Sequence, residues 1–168
     1  VSHIPTRTQN RLLPYSPVPP SDVMKNEPDT DFDLPQNQKW VRKIFAKWKK
    51  SSADTPEIIP LQIGTEDIIC EKRHKNMDRC QNDEVCICEM SQANTEQIKQ
   101  IIGIAEKDPA SWRNTTLEER HRIMFEAANR LGDMRGDLIG SMCAVTGKTV
   151  VEGDVEVSEG IDYARFYT

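Results

Sequence analysis

The chain has 168 residues, 37% of them hydrophobic and 29% charged, with a net charge of −5. That length suits one domain of ordinary size; no run approaches the ~20 apolar residues of a membrane span, and the N-terminus lacks the apolar core of a signal peptide. The acidic balance offers no overall cationic surface to nucleic acid, and an odd set of five cysteines (Cys70, Cys80, Cys86, Cys88, Cys143) fits a reduced, cytoplasmic setting better than a disulfide scaffold.

The chain begins with Val1 rather than Met, which reads as a fragment or a processed chain. Seven of the ten prolines fall within residues 1–35. A segment so rich in proline and so poor in apolar periodicity cannot fold alone, and it reads as an extended linker that needs something to lie against. Residues 36–50 change character: Trp40, Val41, Ile44, Phe45 and Trp48 recur at helical spacing as one apolar stripe ringed by lysine and arginine. Such a basic amphipathic helix also matches membrane-surface and calmodulin-target helices. Asp29, Asp31 and Asp33 just upstream favour a helix packed on its own domain, because they suit its positive N-terminus.

Residues 57–90 read as short strands. Ile58–Ile63 and Ile68–Cys70 are β-prone runs separated by Gly64, and Val85–Cys88 follows a polar, turn-like stretch from Asn76 to Asp83. Beyond Met90 the pattern is helical. Asn94 and Gln97 make a capping box ahead of a face formed by Ile98, Ile101, Ile102 and Ala105. Thr116 and Glu119 make a second, ahead of Ile123, Met124, Ala127, Ala128 and Leu131. A third helix carries Met134, Leu138, Ile139, Met142 and Cys143 and ends near Gly147. A fourth starts about Thr149 and runs to the C-terminus, where Phe166-Tyr167 leave the last helix apolar to its end. The helices have faces that await a sheet, so the fold reads as unfinished.

Three motifs invite sharper readings. Gly147-Lys148-Thr149 resembles the end of a phosphate loop, but the position five before Gly147 is Met142, and the preceding segment has helical rather than strand spacing. Cys70, His74, Cys80, Cys86 and Cys88 offer zinc-ligand chemistry without a Cys-x-x-Cys pair. Cys86 and Cys88 share one face of a strand, where buried thiols act as small hydrophobes. Asn114-Thr115-Thr116 matches a glycosylation acceptor, which has no consequence in a cytoplasmic protein. The most informative row is Val151, Val155, Glu159, Tyr163 and Tyr167, all at i+4 spacing. A carboxylate inside an apolar row must reach solvent or meet a cation.

Together these landmarks have a familiar order. Trp112, Leu117-x-x-Arg120, Ala127-Ala128-Asn129-Arg130-Leu131, Gly147-Lys148-Thr149 and Glu156-Val157-x-x-x-Ile161-Asp162-Tyr163 with Phe166-Tyr167 resemble the N-terminal helices of the aldehyde dehydrogenase superfamily. The likeness runs from about Thr65 to the end. Asn26-Glu27-Pro28-Asp29-Thr30-Asp31-Phe32-x-Leu34-Pro35, followed by the tryptophan-containing helix, is similar to the connector between the two catalytic domains of the proline utilization A family. Residues 1–25 match no pattern, and Cys86-Ile87-Cys88 departs from the valine and glycine expected in its strand.

The resemblance implies an α/β aldehyde-dehydrogenase-like fold, incomplete here, this portion mostly α-helical with a few short N-terminal strands. It implies three parts: a linker over 1–35, an amphipathic helix over 36–50, and the truncated N-terminal part of an NAD-binding domain over 57–168. In that family a cysteine thiolate attacks L-glutamate γ-semialdehyde, which forms from pyrroline-5-carboxylate. Hydride passes to NAD, and a glutamate-activated water releases glutamate. The thiolate, general base, oxyanion-holding asparagine and NAD-binding strands lie downstream of Thr168, so the chain alone is expected to be inactive, with no catalytic, cofactor-binding or metal residue of its own. Cys143 is a packing residue by this reading. FAD enters only if a proline dehydrogenase barrel is fused upstream. The whole enzyme would act on a small molecule as a homo-oligomer, with no nucleic-acid partner and no membrane association through this segment. Glu159 is the one expected substrate-binding residue: its helix corresponds to one lining the aldehyde-entry tunnel, where a carboxylate can meet the substrate's α-ammonium. The alternative, from another class, is a non-catalytic helical interaction module built on the same scaffold.

Overall fold

Pro35 opens α1 (Pro35–Trp48), where a residue with a fixed φ and no N–H is well placed in a first helical turn. The computed structural model describes residues 7–21, 23–49, 54–81 and 84–167, the side chain of Cys80 excepted. The first six residues of the expected linker, Asp22 within it, Lys50 of the basic helix, Asn82 and Asp83 of the polar turn, the Cys80 thiol and Thr168 therefore lie outside the described residues. After α1 come β1 (Glu57–Ile59), β2 (Leu61–Ile63), β3 (Glu66–Ile68), β4 (Arg73–Met77) and β5 (Cys86–Ser91). Four helices follow: α2 (Thr95–Lys107), α3 (Leu117–Asp133), α4 (Arg135–Thr146) and α5 (Val150–Phe166). Among the described residues no helix is long and apolar enough to cross a membrane.

Contacts divide the chain into two compact units. The first joins residues up to Lys49 with Leu117–Cys143 and Lys148–Thr168; the second holds Lys50–Thr116 and Ala144–Gly147.

In the first unit, Ala128 of α3, Ile139 and Cys143 of α4, and Val157, Ile161 and Ala164 of α5 form the core, with Met124, Leu131, Leu138 and Met142 packed against it. Ile139 and Ile161 are wholly buried, each contributing about 1.5–3 kcal/mol. The face of α3 is rotated from the expected one. Phe125, Ala128 and Gly132 are buried, whereas Ala127 is exposed; Ala128 lies in the core with Met124 and Leu131 packed against it, and Gly132 faces the Tyr15 ring. Gly147 takes φ +72° just after α4, a conformation that glycine adopts without the Cβ clash of other residues. Thr149 then caps α5: its hydroxyl accepts from the Glu152 N–H at 3.3 Å, and the Glu152 carboxylate accepts from the Thr149 N–H at 2.8 Å.

The described residues between 7 and 34 form no helix or strand. This arm is fixed by side chains instead. Asn37, fully buried on α1, accepts from the Arg11 N–H at 2.8 Å and donates to Gln9 Oε1 (2.9 Å) and the Asp31 carbonyl (3.0 Å), so one amide ties together two passes of the arm. Asn129 of α3 pairs with both backbone groups of Val18, at 3.0 and 3.1 Å.

A row of glycines gives the arm and α1 their seat. Gly132, Gly136 and Gly140 follow at i+4 spacing across the end of α3 and into α4. A Cβ on Gly132 would lie 2.4 Å from the Tyr15 ring, and one on Gly140 would lie 2.1 Å from the Trp48 ring. A Cβ on Gly136 would lie 3.5 Å from both Trp40 and Ile44. The expected stripe of α1 thus packs through Trp40, Ile44 and Trp48, while Phe45 is half exposed.

In the second unit, β1 runs parallel to β5 and β4 antiparallel to it, in the order β1-β5-β4. β2 and β3 form a separate hairpin. Its turn is Gly64-Thr65, with Gly64 at φ +64°, the left-handed first position that a tight two-residue hairpin requires. Two expectations change here. The second run forms its strand at Glu66–Ile68 rather than Ile68–Cys70, because hairpin pairing places Glu66 opposite Ile63. Arg73–Met77, whose end fell in the polar stretch, is a strand because β5 supplies its partners; across that pair Arg73 meets Glu89 at 3.0 Å. The Asn94–Gln97 capping box opens α2. Its expected buried face is not buried: Ile98 and Ile102 are 48% and 53% exposed, and Ala105 is exposed. α2 rests on the β2–β3 hairpin along another line, with Ile104 against Gly64.

Candidate functional site

α5 carries two faces of opposite character. Gly153, Asp154, Val157, Ser158, Ile161, Ala164 and Arg165 point inward and are buried. The row singled out by its spacing points the other way: Val151, Val155, Tyr163 and Tyr167 are 57%, 39%, 58% and 73% exposed. Glu159 sits in the middle of that row, exposed, with no ion pair among the described residues. Tyr163 and Tyr167 form a tilted pair with ring centroids 6.0 Å apart, and Phe166 meets Tyr167 edge-on at 5.0 Å, so the C-terminal end of the row is aromatic. An exposed apolar band of this kind marks a surface built to be covered, with one carboxylate available inside it.

The buried face holds a charge cluster that apolar periodicity did not reveal. Arg135 opens α4 at 2% exposure. Its Nη1 donates to Asp154 Oδ1 at 2.7 Å, its Nη2 donates to Glu27 Oε1 at 3.3 Å, and both reach the Ser158 hydroxyl at 3.1 Å. Asp154, fully buried, also accepts from the N–H and the hydroxyl of Thr30, both at 2.6 Å. Glu27 is the second hub. Its Oε2 accepts from Arg165 Nη2 (3.3 Å) and the Tyr15 hydroxyl (3.1 Å), its Oε1 faces Arg11 Nη1 at 3.6 Å, and its N–H donates to Asp162. Arg165 Nη2 also donates to the Tyr15 oxygen at 2.7 Å.

Burial, and next the Glu27 carboxylate, push the Tyr15 phenol above its ordinary pKa, with the Arg165 charge opposing, so Tyr15 keeps the proton that it donates. Burial lowers the Arg11 pKa, the Arg135 charge adds to that, and Asp154 and Glu27 oppose it. Guanidinium remains charged throughout. The cluster therefore fastens the proline-rich arm, through Arg11, Tyr15, Glu27 and Thr30, to α4 and α5. The sequence did carry a trace of it. Asp154, Ser158 and Arg165 share the spacing of Val157 and Ile161, but a search for apolar residues passes over them.

The other candidates are not brought together. Cys86 and Cys88 lie on one face of β5, where the Cys86 thiol approaches the Cys88 carbonyl at 3.6 Å; burial pushes the Cys88 thiol up. His74 is on β4, opposite Met90, and Cys70 contacts Gln97. Among the described residues no group of three or more His, Cys, Asp and Glu could hold a metal ion. Cys143 is buried in the helical core. Gly147-Lys148-Thr149 joins two helices, with Lys148 paired to Glu156.

Residues 70–168 match the aldehyde dehydrogenase family. A 1-pyrroline-5-carboxylate dehydrogenase of Bacillus pumilus is 29% identical over 143 residues, which cover 85% of this chain and 27% of that protein. Its counterpart in Geobacillus thermodenitrificans is 27% identical over the same shares. The chain thus spans about a quarter of the length of these relatives. Two solved structures share the fold. Proline utilization A from Bdellovibrio bacteriovorus aligns at a TM-score of 0.79 and 24% identity, over 89% of this chain and 15% of that one. A Thermus 1-pyrroline-5-carboxylate dehydrogenase with bound NAD aligns at 0.78 and 20%, over 88% and 28%. With more than half of its length matched, and with the ordered helices α3 to α5 inside the matched region, this chain belongs to the aldehyde dehydrogenase family.

Proposed function

We propose that the chain forms the N-terminal part of an NAD-dependent dehydrogenase that oxidises L-glutamate γ-semialdehyde to glutamate, and that Glu159 receives the α-ammonium of that substrate. The observation that carries the reading is the placement of Glu159: an exposed carboxylate without an ion pair among the described residues, flanked by Val155 and Tyr163 on an exposed apolar face. An aldehyde chain can lie along such a band while the carboxylate meets the charged end. The relatives named for 1-pyrroline-5-carboxylate, the cyclic form of the same semialdehyde, support this choice of substrate.

On this reading the chain supplies neither the nucleophile nor the NAD cradle, and alone it does not turn over. The doubly wound dinucleotide site seats the pyrophosphate at a glycine-rich turn from a parallel strand into a helix. Here β5, which is parallel to β1, leads to α2 through Gln92-Ala93-Asn94, with no glycine. The described residues offer no glycine-rich turn at that junction. Their part is to shape one wall of the substrate's approach and to orient its charged end.

The test is made in the whole enzyme. A charge-assisted contact is worth about 1.5–3 kcal/mol, so Glu159→Ala should lower kcat/KM for glutamate semialdehyde roughly ten- to hundredfold. A neutral aliphatic aldehyde should be nearly unaffected. Equal losses on both substrates would show that the residue supports the helix instead.

A further inference from the structure

The Glu27 carboxylate is held as a bound ligand would be. Both oxygens are engaged, Oε1 by Arg135 and Arg11 and Oε2 by Arg165 and Tyr15, in a pocket where the Glu27, Arg135 and Arg165 side chains are 5%, 3% and 5% exposed. Three guanidiniums converge on two carboxylates, Glu27 and Asp154. Asp154 is also committed to Thr30. Arg135 Nε has no hydrogen-bond partner among the described residues, so this guanidinium is not saturated even with Glu27 in place. Without Glu27 the cluster would hold two buried cations, Arg135 and Arg165, and the part-buried Arg11 against one buried anion, a state that favours taking up another anion. A cleft of about 440 Å3 lined by Arg11, Tyr15, Glu27 and Arg135 opens onto the cluster and gives small solutes a way in.

We propose that Arg11, Tyr15, Arg135 and Arg165 form a carboxylate-binding site whose occupant is the chain's own Glu27, the proline-rich arm being a tethered ligand; a free small monocarboxylate takes the site when Glu27 is removed. Arg135 and Arg165 each present one Nη2 group to a separate oxygen of the same carboxylate, two charge-assisted contacts from different helices. The tether helps to hold a segment whose described residues have no regular secondary structure, because the buried Glu27 is seated among fixed cations.

The experiment exploits an atom match. Glu27→Ala removes a methylene and a carboxylate, which is the heavy-atom set of acetate. Removing one partner from a buried ion cluster of this kind should lower the unfolding midpoint of the full chain by about 10 °C in sodium chloride. Replacing chloride by acetate at equal ionic strength should restore at least about half of that loss along a saturating curve, as linkage requires of a ligand binding the folded state. Gly140→Ala serves as the control for a general effect of acetate on stability. Glu27→Gln, whose amide fills the pocket, should melt below wild type and gain nothing specific from acetate. The proposal is overturned if acetate restores Glu27→Ala no better than chloride, or lifts Gly140→Ala equally. Should Glu27→Ala fail to fold, Glu27→Gln decides: a midpoint equal to wild type overturns the site, and a lowered midpoint supports it.

Discussion

Arg135 Nη1 and Asp154 Oδ1 lie 2.7 Å apart with their side chains 3% and 1% exposed, joining the first residue of α4 to the buried face of α5. A pair so dry gains little over a well-packed apolar pair, yet each partner depends on the other. Arg135→Ala should therefore lower stability by about 3–5 kcal/mol, read from denaturant unfolding. The double variant Arg135→Met with Asp154→Leu should recover only part of that loss. Asp154 also accepts from the Thr30 N–H and hydroxyl, and those donors would stay buried and unpaired. Full recovery would mean that the arm does not depend on Asp154.

The glycines make predictions of opposite sign. A methyl at Gly140 or Gly132 would lie well inside contact distance of the Trp48 or Tyr15 ring. Overpacking typically costs about 1–3 kcal/mol, and the gain in helix propensity, about 1 kcal/mol, does not offset the upper part of that range. Gly140→Ala and Gly132→Ala should destabilise. Gly103, inside α2, has nothing within 4 Å of its Cβ position, so Gly103→Ala should raise stability by up to about 1 kcal/mol. Thermal melts of the three variants check both directions.

These residues also mark where sequence reading succeeds and fails. Local signals were legible: the Asn94–Gln97 box, the stop at Gly147, the start of α5 at Thr149, the turn at Gly64 and the tryptophan stripe of α1. Each is written within about one helical turn or one hairpin. Properties that depend on a distant partner were not. β4, Arg-His-Lys-Asn-Met, has no strand pattern of its own and is extended because β5 pairs with it. Ile98 and Ile102 have the spacing of a buried face, yet the element beside α2 is a short hairpin that covers another side. The place of Glu159 within an apolar row was legible in its spacing, whereas Glu27 meets arginines 108 and 138 positions away, and no local window holds them together.

Asn129 offers a local test of arm docking. Its side-chain amide pairs with both the N–H and the carbonyl of Val18 at the exposed edge of α3. Water can replace these bonds, so Asn129→Ala should lose no more than about 0.5–1.5 kcal/mol per bond globally. The Val18 amide should exchange its hydrogen markedly faster, because the opening that exposes it becomes local rather than shared with the cluster. Unchanged exchange at Val18 would place the hold on the arm elsewhere.

The last prediction concerns pH and the seat of α1. Lys47 Nζ lies 2.5 Å from Asp137 Oδ1, and the Trp48 indole N–H donates to the same oxygen at 3.2 Å. The bond from Lys47, with help from Trp48 and against some desolvation, holds the Asp137 carboxyl below its ordinary pKa. A carboxyl lowered on folding stabilises the folded state fully above its unfolded pKa, and that stabilisation is lost as pH falls through the folded value. The contact should therefore be constant from neutrality down to about pH 5 and weaken below about pH 4. Asp31 and Glu152 are lowered too and titrate in the same acid range, so a global melt cannot isolate Asp137. The discriminating measurement is the difference between wild type and Asp137→Asn in tryptophan emission, because Trp48 loses an anionic partner only in the former. That difference should be largest near neutrality, shrink below about pH 4 and shrink again in high salt. A difference independent of pH would show that Trp48 is held by the Gly140 groove alone.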